Sequence, residues 1–137
     1  MKKELQVGLI GYGFAGSTFH APVITTIPGL KLKTIVQRSS MNSKERYPWV
    51  EVVDDVHKLY RDEDIDLIVI TTPSTDHYTF IKDALAAGKH VVVEKPFTTS
   101  SNEADELIEL AKQTDRVLSV FHNRRWDGDF FDYPTIA

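Results

Sequence analysis

The sequence predicts an α/β fold: a doubly wound parallel sheet of about six strands in the order 3-2-1-4-5-6. Three observations carry this expectation. Short, near-continuous apolar runs recur along the chain, as in strands buried on both faces. Segments with apolar residues at helical spacing lie between them. The first run ends directly in a glycine-rich turn, Gly11-Tyr12-Gly13-Phe14-Ala15-Gly16. The 137 residues match one domain of roughly 100–200 residues. With 42% apolar and 26% charged residues, a mostly disordered chain is excluded.

The strands are expected at Leu5–Ile10, Lys31–Val36, Val50–Val53, Leu67–Ile70, Val91–Val93 and Val117–Phe121. Helical spacing places His77, Ile81, Ala84 and Leu85 on one face of Thr75–Ala87, with Gly88 ending that helix. In Asn102–Gln113, Ala104, Leu107, Ile108 and Ala111 follow the i, i+3, i+4, i+7 pattern, and Ser100 with Glu103 has capping-box spacing. Shorter helices are expected over Phe14–Ile27, Ser43–Tyr47 and Val56–Arg61. Pro22 should kink or split the first of these, because it lacks an N–H and clashes one turn back. Strands alternating with helices require right-handed crossovers and a parallel sheet.

Composition narrows the function. The chain has no cysteine, which excludes disulfides and zinc–thiolate sites, and its five histidines lack metal-ligand spacing, so no metal is expected. No apolar run approaches the roughly 20 residues of a membrane span, and the N-terminal stretch lacks the apolar core of a signal peptide. A cytoplasmic protein with no membrane partner is expected. Residues 1–50 carry seven Lys/Arg against two Asp/Glu, whereas residues 51–137 carry nine against eighteen. The positive first part suits an anionic ligand, but its basic residues are scattered, which argues against nucleic acid.

The glycine turn gives that anion a chemistry. A G-x-G-x-x-G between a buried strand and a helix is the dinucleotide-binding pattern of a Rossmann fold. Gly11 permits the tight turn, Gly13 lets backbone approach a pyrophosphate, and Gly16 lets helix and strand pack closely. The amides around Phe14 and Ala15 open the helix and face the phosphates. A glycine turn that binds nothing is the alternative. An NAD site usually places a carboxylate at the end of the second strand, yet residues 17–44 contain no Asp or Glu. That strand ends in Gln37-Arg38-Ser39-Ser40 instead. Arg38 can fork onto a 2′-phosphate and Ser39 and Ser40 can donate to it, so NADP(H) is expected over NAD(H). An exposed surface arginine is the alternative for Arg38.

Beyond the fourth and fifth strands lie Thr71-Thr72-Pro73, with His77 four residues after the proline, and Ala87-Gly88-Lys89-His90-Val91 leading into Glu94-Lys95-Pro96. With the glycine turn and Glu103-Ala104, these motifs resemble the N-terminal domain of the Gfo/Idh/MocA oxidoreductases over Leu5 to about Asp127. Phe19-His20-Ala21-Pro22 and Phe121 to Asp127 resemble a bacterial subgroup that includes NADP-dependent scyllo-inositol dehydrogenases.

The resemblance implies a hydride transfer between NADP(H) and a secondary hydroxyl or carbonyl of a small polyol or sugar. It implies that Lys95 is the catalytic lysine, beside the nicotinamide and the reacting oxygen. Glu94 then meets the cofactor ribose or orients Lys95. Thr71, Thr72 and Pro73 line the adenosine and pyrophosphate side, His77 faces the cleft, and Asn123 lies near the nicotinamide. Arg124 and Trp126 point toward substrate. The alternatives are a surface ion pair for Glu94 and Lys95, a packed helix face for His77, and an interdomain crossing for Asn123, Arg124 and Trp126. His20 is expected to cap or pack locally, and His90 to be structural.

The resemblance also implies a second, substrate-binding domain that no residue here matches. Residues 1–122 are expected to be the dinucleotide domain, and 123–137 a crossover toward the second domain. The full-length protein is expected to be a homo-oligomer. The isolated chain is expected to bind cofactor but turn over poorly. A non-catalytic dinucleotide-binding or redox-sensing module is the rival reading, and Lys95 argues against it. A dehydrogenase complete in one domain is set aside because it needs a Tyr-x-x-x-Lys helix, and no tyrosine followed by lysine four positions later is expected here.

Overall fold

The computed structural model describes residues 3–123. Six parallel strands form one sheet in the order β3-β2-β1-β4-β5-β6, the order expected from the sequence. They are β1 (Leu5–Ile10), β2 (Leu30–Val36), β3 (Glu51–Val53), β4 (Leu67–Ile70), β5 (His90–Glu94) and β6 (Leu118–Phe121). The helices are α1 (Ala21–Thr26), α2 (Ser43–Arg46), α3 (His57–Arg61), α4 (His77–Ala86) and α5 (Ser101–Gln113). No helix among the described residues is long and apolar enough to cross a membrane.

The period-2 geometry of strands sorts the apolar residues onto two faces. Val7, Leu9, Leu32, Ile35 and Val69 pack with Ala21 and Ile24 of α1 and with Tyr47 and Val50. Ile10, Ile68, Ile70, Val91 and Val93 pack with Leu59 of α3, Ile81 and Leu85 of α4, and Leu107 of α5. Gly8 points toward α3: a Cβ there would stand 2.6 Å from Leu59 Cδ2. Adjacent strands and both helical layers thus bury their apolar surface against one sheet, at roughly 25 cal/mol per Å² removed from water.

Two details differ from the sequence reading. Pro22 does not split the first helix. The chain is helical from Phe14 to Thr26, with a π-helical turn over Gly16–His20 whose closing bond runs from Ala21 N–H to Gly16 O. The wide turn falls just before the residue that has no N–H to donate. Ile108 does not join the buried face of α5. It is 45% exposed, while Leu110 packs against the core and Ile108 overhangs a depression beside Leu118 and Val120 of the edge strand.

The helix ends follow backbone chemistry. Gly88, at φ +79°, closes α4: Gly88 N–H donates to Leu85 O and Lys89 N–H to Ala84 O, both about one turn back. At the start of α5, Ser100 Oγ accepts from Glu103 N–H at 3.2 Å. The reciprocal arm of the capping box is diverted, because the Glu103 carboxylate accepts from the Thr99 hydroxyl at 3.2 Å.

Candidate functional site

The carboxyl ends of the strands carry the site. Gly11 leaves β1 at φ +97°, a conformation that glycine adopts at little cost, while its N–H still donates to Val36 O of β2. The Thr71 hydroxyl, at the end of β4, lies 2.9 Å from Ile10 O and 3.2 Å from Gly11 O, so it clamps the turn from the neighbouring strand. Gly16 sits where the helix crosses this turn: a Cβ there would meet Gly11 O at 2.5 Å and Thr71 Oγ1 at 3.0 Å. Gly13 is the opposite case, because a Cβ on it would meet nothing within 4 Å. The first intrahelical bond runs from Ser17 N–H to Gly13 O, so the amides of Phe14 and Ala15 have no helical acceptor and lie at the positive end of the helix.

Two clefts open along this edge. One of about 300 Å³ lies between the glycine turn and the end of β2, walled by Gly11, Gly13, Arg38, Ser39 and Ser40. No Asp or Glu lines it. Tyr12, Gln37, Asn42, Val56 and Phe80 also line it, residues that the motif reading did not single out. The Tyr12 phenol is pushed up from its usual range, first by burial and then by Tyr47, against a smaller opposing effect of Arg46, so it presents a neutral hydroxyl at pH 7.

Gln37 organises the loop after β2. Its Oε1 accepts from the Ser43 N–H and hydroxyl, and its Nε2 donates to Ser40 Oγ at 3.1 Å and Asn42 Oδ1 at 2.7 Å. Ser40 Oγ in turn donates to Asn42 Oδ1 at 3.0 Å. Ser40 lines the cleft beside Arg38 and Ser39, with its hydroxyl proton turned to Asn42 within the loop.

The second cleft, of about 420 Å³, is walled by Phe14, Ala15, Phe19, Thr71, Thr72, Glu94, Lys95 and Asn123. Lys95 is exposed, and its bond to Pro96 is cis. Glu94 and Lys95 are not an ion pair. Glu94 Oε1 accepts from His20 Nε2 at 2.6 Å, and Oε2 accepts from the Lys95 backbone N–H at 3.2 Å. His20 is therefore not a local cap: it is 5% exposed and bridges 74 positions of sequence.

His77 is also corrected. It is 1% exposed, with Nδ1 2.8 Å from Pro96 O and Nε2 2.8 Å from Thr72 O. Its ring joins the loops after β4 and β5 from behind and does not face the cleft. Pro73 lines neither cleft; its carbonyl accepts from Asp76 N–H in the turn that leads into α4. Arg124 and Trp126 lie outside the described residues, as does the aromatic run 129–134. His90 is structural: Nδ1 accepts from Val117 N–H at 3.0 Å.

The chain does contain Tyr78-x-x-x-Lys82, on α4, so the absence of that pattern cannot serve to set aside a single-domain dehydrogenase. Geometry serves instead. The Tyr78 hydroxyl donates to Glu106 of α5 at 2.5 Å, and both Tyr78 and Lys82 line a groove between α4 and α5 rather than either cleft. A depression of about 540 Å³ between α5 and β6 also lies away from the glycine turn. Among the described residues no cluster of His, Asp or Glu is placed to hold a metal ion.

A dinucleotide fits these residues. Gly13 leaves open the space that a side chain would fill. Thr72 Oγ1 is a buried hydroxyl with no partner; of the three such side-chain atoms among the described residues, it alone belongs to a residue lining the clefts, and Thr72 lines both. The two clefts flank the helix N-terminus, where a pyrophosphate finds free amides.

The site is that of a nucleotide-binding α/β domain. A sequence model of the Gfo/Idh/MocA family, described as an oxidoreductase family with an NAD-binding Rossmann fold, matches residues 5–122, and the chain belongs to that family. It is 53% identical over 130 residues to the uncharacterized oxidoreductase YdgJ of Escherichia coli K12, covering 95% of this chain and 38% of that protein. It is 39% identical over 126 residues to the scyllo-inositol 2-dehydrogenase (NADP(+)) IolW of Bacillus subtilis, covering 92% of this chain and 35% of that protein. A scyllo-inositol 2-dehydrogenase (NAD(+)) of the same organism is 29% identical over 138 residues, covering 96% of this chain and 40% of that protein. A solved oxidoreductase from Bacillus cereus superposes with a TM-score of 0.87 at 36% identity, over 92% of this chain and 37% of its own. The chain thus spans well under half the length of the proteins it matches.

Proposed function

We propose that this chain is the cofactor-binding half of an oxidoreductase that moves hydride between NADP(H) and a secondary hydroxyl or carbonyl of a sugar or cyclitol. The observation that carries the NADP(H) preference is the cleft beside β2, which presents Arg38 and Ser39 and no carboxylate. A guanidinium forks onto a 2′-phosphate, while a carboxylate there would repel it. The NADP(+)-dependent inositol relative supports this reading, and the NAD(+)-dependent one is the more distant of the two.

The amides of Phe14 and Ala15 and the open side of Gly13 receive the pyrophosphate, and Thr72 offers its orphaned hydroxyl between the two clefts. The nicotinamide, when bound, supplies or accepts the hydride. Lys95 is the catalytic residue of this half: its ammonium hydrogen-bonds the substrate oxygen and stabilises the negative charge that develops there. Asn123 borders the same cleft. Arg124 and Trp126 are assigned to the substrate side.

Titrating the chain with NADPH and NADH at matched ionic strength, by nicotinamide fluorescence, tests this. NADPH binds more tightly, and Arg38→Ala lowers the NADPH-to-NADH affinity ratio about tenfold, the equivalent of about 1.4 kcal/mol for one exposed charge-assisted pair. An unchanged ratio in Arg38→Ala overturns the assignment. Substantial NADP-dependent polyol oxidation by the 137-residue chain alone would show that the chain is more than a half-site.

A further inference from the structure

We propose that His20 is a positioning residue for the Glu94–Lys95 turn, an inference that rests on the cofactor reading above. His20 Nε2–H donates to Glu94 Oε1 at 2.6 Å, and the other oxygen receives the Lys95 backbone N–H at 3.2 Å. Both carboxylate oxygens are therefore engaged inside the protein. Two effects follow. The backbone that carries Lys95 is tied to a fixed acceptor. The carboxylate is also held away from its sequence neighbour's ammonium, so the charge of Lys95 is not neutralised by Glu94 and remains directed to the cleft.

Three features show that His20 is built for this contact. It is 5% exposed, and its ring packs on Phe121 of β6 at a centroid distance of 4.5 Å, which fixes the side chain. The π-helical turn over Gly16–His20 places it there. Ala21 N–H reaches back to Gly16 O, five residues, so the turn is wider than that of an α-helix by one residue. Consecutive residues His20 and Ala21 are then both buried, Ala21 against the sheet and His20 against the strand ends. Pro22 follows and has no N–H to lose. Finally, a buried imidazole against a partly buried carboxylate is an expensive way to fill space, since burying polar groups costs free energy that apolar groups would not.

The test compares two ligands on one set of variants. NADPH reaches both clefts, whereas adenosine 2′,5′-bisphosphate lacks the nicotinamide half. His20→Ala weakens NADPH about tenfold and leaves adenosine 2′,5′-bisphosphate unchanged within twofold. His20→Gln, whose side-chain amide can donate to Glu94, recovers most of the loss; His20→Asn, one methylene shorter, does not. Circular dichroism checks folding, and if His20→Ala fails to fold, the Gln–Asn difference decides. Equal weakening of both ligands, or no weakening of NADPH, overturns the inference while the cofactor assignment stands. If the unaltered chain binds neither ligand, the cofactor assignment fails and this inference fails with it.

Discussion

Gly13 and Gly16 stand three residues apart in one motif, yet the structure assigns them separable tasks, and alanine at each position should fail in a different assay. At Gly16 the added methyl would meet the Gly11 carbonyl oxygen at 2.5 Å and the Thr71 hydroxyl at 3.0 Å. Neither neighbour is a flexible side-chain end: one is backbone, and the other is held by Ile10 O and Gly11 O. The helix or the strand end must shift, at a cost of about 1–3 kcal/mol. That is a fall in melting temperature of roughly 3–15 °C for a domain of this size. At Gly13 the methyl meets nothing within 4 Å. Losing a favourable cap residue costs up to about 1 kcal/mol, and the lower entropy of the unfolded chain returns about 0.4–1 kcal/mol, so stability stays within about 1 kcal/mol of the parent. The methyl instead fills the space where backbone should approach a pyrophosphate, and affinity for NADPH falls at least about tenfold, some 1.4 kcal/mol. Thermal melts and fluorescence titrations on the two variants give a two-by-two result. If Gly13→Ala binds NADPH as well as the parent, the glycine turn is not the pyrophosphate site. If Gly16→Ala melts with the parent, the close approach to Gly11 O and Thr71 is not what requires glycine at that position.

Three further outcomes concern the frame. Lys89 is buried and its ammonium donates to Asp62 O at 2.6 Å and Ile65 O at 2.9 Å; Asp62 O keeps the Ile65 N–H at 3.2 Å, so Lys89→Met strands the Ile65 carbonyl and should cost about 1–3 kcal/mol in urea unfolding at pH 7; Lys95→Met, at an exposed lysine, should cost under about 0.5 kcal/mol by the same assay. For Asp62, burial raises the carboxyl pKa, but the hydrogen bond and charge of Lys33 outweigh it and hold it below the usual range. Its contribution, up to about 1 kcal/mol, is present above pH 3.8 and lost as pH falls through the lower folded value, so the stability gap between parent and Asp62→Asn should close in acid; a gap constant down to pH 2 would contradict this. Asp115 closes α5 at φ +53°, where its N–H donates to Lys112 O and Arg116 N–H to Ala111 O, so Asp115→Gly should raise stability by about 0.5–1 kcal/mol in thermal melts.

The fold was legible because a doubly wound sheet is written in local signals. Runs such as Leu67–Ile70 are apolar throughout because both faces are covered, and Ile81, Ala84 and Leu85 repeat at helical spacing because one side of α4 meets the sheet. The glycine turn was legible because its spacing reports backbone geometry directly. What sequence did not show depends on contacts between distant segments. His20 sits in a helix with no acid nearby in sequence, and only the crossing of that helix over the end of β5 brings Glu94 to it. Ser40 has the composition of a phosphate donor, but Gln37 and Asn42 claim its hydroxyl in three dimensions. His77 shows the pattern of a packed helix face, and only the loop after β5 reveals why a polar ring occupies it.

These cross-segment contacts share one physical cause. A strand satisfies its backbone through the ladder, but at its carboxyl end the ladder stops and the carbonyls need other donors. At this edge side chains supply some of them: the Thr71 hydroxyl reaches the Gly11 carbonyl and also that of Ile10, which the Thr71 N–H already serves, and the His77 ring lies 2.8 Å from both the Thr72 and the Pro96 carbonyl oxygens. The Lys95 N–H is the converse case, an orphan donor met by Glu94. Each tie fixes a loop that borders a cleft, so the loops are held to the sheet and not to one another by chance packing. A long, flexible dinucleotide binds more tightly across two clefts when the receiving backbone is already ordered, since ordering it on binding would consume affinity. At the amino ends of β4 and β5 Lys89 performs a similar service for Asp62 and Ile65, away from both clefts. The same chemical device therefore yields preorganisation at one end of the strands and simple cohesion at the other, and the glycine turn, which no side chain could replace, decides which end binds.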